Sequence, residues 1–169
     1  MQEISWANRL ELQNQWTNSE KGWQVAVEWN QGPYGVGLFA EETISEGTLM
    51  RQGVIGRNLV RFQGETCLYQ FLGCWNDPRY PERLDYVADY LYGVDLRNGG
   101  KEDQWFYGIW LPGHGINHDY DSNIVFHAVW DIDDTLIGLN LHASQDIQEG
   151  QEILENYHAF GRAPPWLLE

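Results

Sequence analysis

The stretch GINHDYDSN, residues 115–123, brings an amide, an imidazole and two carboxylates close together as Asn117, His118, Asp119 and Asp121. Asn117 carries a donor and an acceptor on one short side chain, so it suits a ligand that is itself both. Far upstream, Tyr34-Gly35-Val36-Gly37 contains two glycines that let main chain approach a ligand closely and take positive φ at low cost. Far downstream, QEILENY ends on the phenol of Tyr157. Each stretch alone is ordinary: a GxG is most often a turn, and an Asn-His pair after a strand is most often a satisfied bend. Function requires that they meet.

The histidines offer a second chemistry. His114, His118, His127, His142 and His158 all fall in the final third, near Asp119 and Asp121. Two imidazoles and a carboxylate would make an open site for iron or another divalent metal. No HxH or HxD dyad occurs, however, and His114 and His118 sit in a Gly-rich loop rather than on a helix face. No metal ligand is assigned on this basis.

These residues need elements to carry them. SWANRLELQNQW (5–16) reads as a short helix, although Leu10 and Leu12 break helical spacing. GWQVAVEW (22–29), LFAEETI (38–44) and TLMRQGVIG (48–56) read as strands, with turn chemistry in QGPYGVG (31–37) and SEG (45–47). PERLDYVADYLYGV (81–94) reads as a helix: Pro81 suits a first turn, Glu82 and Asp85 favour its positive end, and Leu84, Val87, Ala88 and Leu91 form one stripe. After the loop RNGGKED (97–103), strands are expected at 105–111, 123–130, 136–144 and 151–157. IDD (132–134) and QEG (148–150) mark turns. The pattern is mainly β with few helices and without βαβ alternation.

At 169 residues, 43% hydrophobic, with nine Trp, the chain has the length and composition of one folded domain spanning 1–169. Its core is expected at about 22–160, with a helical insert at 81–94 and a short tail at 161–169. No run approaches a membrane span, and the start MQEISWANRLELQNQ lacks a signal-peptide profile, so a soluble, intracellular, cytoplasmic protein is expected. The plainest reading of Cys67 and Cys74 is two buried thiols. The formal charge is −15, and after Lys101 only Arg162 is basic against twelve acids. Such a surface repels nucleic-acid phosphates and attracts a Lys/Arg-rich partner.

Three stretches, in order, resemble the signatures of SET-domain proteins. YGVGLFAEETISEGTLM (34–50) is similar to the first, in which GxG-L-F-A leads through a strand and an E/K-G turn into another apolar strand. GINHDYDSN resembles N-H-S-C-x-P-N. LHASQDIQEGQEILENY (141–157) resembles the closing A-x-x-D-I-x-x-G-E-E-[ILV]-x-x-x-Y. The approach GIWLPGHGINH looks more like the branch with plant Rubisco-type and MYND-associated members than the histone branch with R-F-I-N-H. The resemblance is to a compact, stand-alone SET domain.

That resemblance implies a β-clip of small sheets with a C-terminal pseudoknot, and methyl transfer from S-adenosylmethionine to lysine in a basic protein or peptide. It further implies that Tyr34, Gly35, Val36 and Gly37 line the methionine end of the cofactor and that Asn117 meets its amino-acid end. His118 then packs near the adenine and Trp166 covers it. Tyr107, Tyr120, Glu155 and Phe160 would wall the substrate channel, and Tyr157 would be catalytic. The chain departs from the family pattern at Asp119-Tyr120 for Ser-Cys, Ser122 for Pro, Glu155 for an aromatic and Asn156 for Asp. A carboxylate near the channel would grip an incoming ammonium but also hold its proton on. An altered or inactive SET-fold module that binds basic peptides or another small molecule is the alternative, and a His/Asp metal enzyme stands behind it.

Overall fold

Residues 21–62, 64–75, 79, 91–95, 105–110 and 115–157 are described by the computed structural model. Strand β1 (Val27–Gly32) and strand β2 (Gly35–Ala40) form an antiparallel hairpin closed by Pro33-Tyr34 alone. The run expected to turn from 31 to 37 is therefore mostly strand. Gly35 takes φ 106°, a left-handed conformation that lets so short a turn re-enter the ladder. The strand expected over 22–29 begins only at Val27; before it, Trp23 makes a single bridge to Arg51.

Strand β3 (Leu49–Val54) is the first of a three-stranded antiparallel sheet, with β8 (Ile124–Trp130) and β9 (Leu136–Ala143), in which β9 is central. Along β9, Leu139, Leu141 and Ala143 are buried in the core, so Asn140 and His142 fall on the opposite face. The 132–134 turn forms as expected, with Asp131 Oδ1 accepting from the Asp133 and Thr135 backbone N–H groups.

A second three-stranded sheet has the order β4 (Leu59–Phe62), β6 (Trp105–Trp110), β5 (Leu91–Asp95). Here two expectations fail. The end of the proposed 81–94 helix, from Leu91, is strand β5, because pairing with β6 outweighs a local helical stripe. Residues 81–90 of that helix, the 5–16 helix, the 97–103 loop and the 161–169 tail lie outside the described residues. Helix α1 (Gly64–Trp75) follows β4 and was not anticipated, although Leu68, Phe71 and Leu72 have helical spacing. Leu68 is fully buried, and the Phe71 ring sits 4.9 Å from that of Phe62. Cys67 and Cys74, two helical turns apart on one face, are exposed rather than buried.

The chain closes by laying residues 150–155 between two older segments. On one side, Gly150 N–H donates to Ala40 O and Ile153 N–H to Leu38 O, extending the edge of β2. On the other, β10 (Leu154–Glu155) pairs in parallel with β7 (Asn117–His118). The expected 151–157 strand thus contracts to a two-residue strand and a bridge at Glu152. This crossing is consistent with the C-terminal pseudoknot that the resemblance implied. Ile147, Ile153, Leu38, Met50 and Leu141 bury together in the main core beneath it. Among the described residues, no helix is long and apolar enough to cross a membrane.

Candidate functional site

The β1–β2 hairpin, β7 and the closing segment meet at Asn117. Its Nδ2 donates to Glu152 Oε1 at 2.7 Å and, more weakly, lies 3.4 Å from Val36 O. Both partners are acceptors, so the amide orientation follows from the network: Nδ2 points inward and Oδ1 is left to accept. Gly37 sits against this junction. A Cβ there would lie 2.2 Å from Glu152 Oε1 and 2.6 Å from Asn117 Nδ2, so space alone demands glycine. Gly35 differs, since a Cβ there would meet nothing within 4 Å. Its requirement is its positive φ, and its side of the hairpin is open.

Glu152 is 7% exposed, and its Oε2 is buried without a hydrogen-bond partner. An oxygen so placed beside the Asn117 amide suits a ligand group that donates hydrogen bonds. Sequence reasoning did not single out Glu152. An acid between Gln151 and the buried Ile153 was the available signal.

One residue along, His118 Nδ1 accepts from the Tyr157 backbone N–H at 3.1 Å. The same Nδ1 lies 3.1 Å from Glu155 O, which it meets as a donor in the other tautomer. The Tyr157 ring lies 5.0 Å from that of His118, and its hydroxyl donates to Ile116 O at 2.5 Å. Tyr157 remains 52% exposed. Tyr120 stacks edge-on to His118 but is 73% exposed, whereas Glu155 is buried at 4%. Tyr107 lies on β6, in register with Phe62 and Gly93. Phe160 and Trp166 lie outside the described residues.

Asn123, also not singled out, is the pin of the crossing. Only 1% exposed, it donates from Nδ2 to Glu152 O and accepts on Oδ1 from Leu154 N–H. Ser122, which stands where the pattern has Pro, adds a hydroxyl bond to Leu154 O at 3.0 Å. Asp119, in place of Ser, accepts from the Tyr34 hydroxyl across the mouth of the site, joining hairpin tip to β7. That bond, then those from the Asp121 and Tyr120 backbone, hold the Asp119 carboxyl below its ordinary range. The same bond, with the neighbouring negative charge, pushes the Tyr34 phenol up.

Among the described residues, no three His, Cys, Asp or Glu side chains converge as a metal-ion group. The histidines divide instead: His118 belongs to this site, His127 and His142 lie together on the β8–β9 sheet, and His114 and His158 are outside the described residues.

The family model of the SET domain matches residues 35–158. No curated protein matches the sequence. A solved structure of a candidate histone methyltransferase from Plasmodium falciparum is similar at 18% identity and a TM-score of 0.49, covering 83% of this chain and 96% of that one. Likeness at that level carries no information about chemistry.

Proposed function

For a chain that belongs to the SET-domain family, a family of protein-lysine methyltransferases, we propose an S-adenosylmethionine-dependent methyltransferase acting on lysine in a basic protein or peptide. The observation that carries this reading is the junction of Gly37, Asn117 and Glu152, continuous through His118 with Tyr157.

The residues fit the cofactor. When bound, S-adenosylmethionine supplies an activated methyl on a positively charged sulfur. Asn117 Oδ1, free to accept, and the unpartnered Glu152 Oε2 beside it suit the ammonium of an amino-acid headgroup. The open side of Gly35 allows main chain to approach the ligand. Tyr157 is the proposed catalytic residue. Its hydroxyl donates to Ile116 O, which holds the phenol oxygen in place while charge redistributes during transfer. The acceptor lysine, with a free pKa near ~10.4, must lose its proton. Burial beside a cation lowers that pKa, so no dedicated base is required of this chain. Asp119, kept ionised by Tyr34, makes a negative rim that draws the ammonium in. Tyr107, Tyr120, Glu155 and Phe160 are the proposed channel residues, and Trp166 the adenine cover.

Calorimetry with S-adenosylmethionine and S-adenosylhomocysteine tests the reading, followed by transfer of labelled methyl to a pool of lysine-rich peptides. Binding that weakens at least about tenfold in Asn117→Ala is expected, since a lost charged hydrogen bond costs roughly 1.5–3 kcal/mol. Failure of the folded wild-type chain to bind either compound refutes the cofactor. Binding without transfer to any lysine peptide refutes the acceptor.

A further inference from the structure

The outer face of the β3–β9–β8 sheet carries a second polar cluster, separate from the site above. His142 on β9 and His127 on β8 are diagonal neighbours, since His127 pairs with Asn140 and Val125 with His142. Their ring centroids are 4.6 Å apart at an interplanar angle of 34°. Asn140, two residues from His142 on the same strand face, completes the group. Two of its atoms, His142 Nδ1 and Asn140 Oδ1, are buried without a hydrogen-bond partner.

A buried polar atom left unpaired costs about 1–3 kcal/mol, so two on one small patch call for a ligand that satisfies both. An amide oxygen is an acceptor only, and an imidazole nitrogen without a proton is one too. A cation or a water that donates twice would meet both; an anion would meet neither. Two adjacent imidazoles are a donor set of divalent transition metals, with an amide oxygen as a harder third ligand. Metal binding also requires neutral imidazoles.

We propose that His127, His142 and Asn140 form a site for a divalent transition-metal ion of the zinc, copper and nickel class, on the sheet face opposite the core. With no carboxylate in the set, the site takes borderline metals rather than magnesium or calcium, which need oxygen ligands. It lies on different strands from the Asn117 junction, so its occupancy is independent of the cofactor reading.

Titration of the full chain with zinc chloride at pH 7.5, followed by calorimetry and by the shift in thermal midpoint, tests this. The expected result is one zinc per chain and a higher midpoint, falling at least tenfold in affinity in His127→Gln and in His142→Gln. Magnesium should give no shift. Copper bound to the wild-type chain should show two imidazole nitrogens by electron paramagnetic resonance, and one in either variant. Because His127 is exposed, His127→Gln carries the test even if His142→Gln fails to fold. Unchanged zinc affinity in folded His127→Gln overturns the proposal. So does the absence of any zinc binding to wild type, which would leave a water as the partner of both atoms.

Discussion

Gly35 and Gly37 are both needed, for different physical reasons, and substitution by alanine separates them. At Gly37 the new methyl and the 2.7 Å bond between Asn117 and Glu152 cannot coexist, because the methyl carbon would lie 2.2 Å from Oε1 and 2.6 Å from Nδ2. Either Asn117 or Glu152 must move, which leaves a buried carboxylate with neither oxygen paired. Losing a hydrogen bond of this kind costs about 1.5–3 kcal/mol. At 169 residues that corresponds to a fall in Tm of roughly 3–12 °C. At Gly35 a methyl meets nothing, and only the strain of a positive φ remains, about 1–3 kcal/mol. The assay is urea unfolding read at constant slope, extended to a cycle with Glu152→Ala. Removing the carboxylate clears the space, so Gly37→Ala/Glu152→Ala should be less destabilised than the sum of its parts by about 2 kcal/mol or more. A Gly37→Ala protein within about 0.5 kcal/mol of wild type, or a strictly additive cycle, would show that the junction is not packed as described.

Asn123→Ala removes both bonds that pin the closing segment and should cost about 2–5 kcal/mol, with hydrogen exchange at the Leu154 amide rising well before global unfolding. Tyr157→Phe should lower methyl-transfer turnover by about 10²–10³ with cofactor Kd changed less than about threefold, measured by single-turnover labelling. The Tyr34–Asp119 bond gives a pH signature. The Asp119 pKa is depressed in the fold, so its contribution is complete above the ordinary value of 3.8 and lost as pH falls through the lower folded one. The Tyr34 pKa is raised, so its contribution is complete below 10.0 and lost as pH rises through the higher folded value. Tyr34→Phe should flatten both limbs of the stability–pH curve, by a small amount because the pair is exposed.

What was legible in the sequence followed from local rules. Alternation in LNLHA marked most of β9, and IDD marked its turn, because side-chain period and turn chemistry are properties of neighbours. The ordered signatures placed Gly37, Asn117 and Tyr157 in one family, and the structure links them into one network. Less legible were features decided across long separations. Strand β5 was hidden within a helical stripe because its partner β6 lies well downstream. Glu152 looked like one more acid on an acidic chain, and only a partner 35 residues away marks it as buried. Asn123 was read as part of a motif, whereas its work is to hold main chain 29 and 31 residues further on. The Gly-rich turn was over-extended because glycine spacing cannot reveal that all three glycines belong to a ladder.

Residues 150–157 supply Glu152, Leu154 and Tyr157, and they occupy a channel whose walls, β2 and β7, come earlier in the chain. The junction at Asn117 is complete only with that segment seated between both walls. Recognition of a small molecule there would therefore report on the closed crossing and not on β2 and β7 alone.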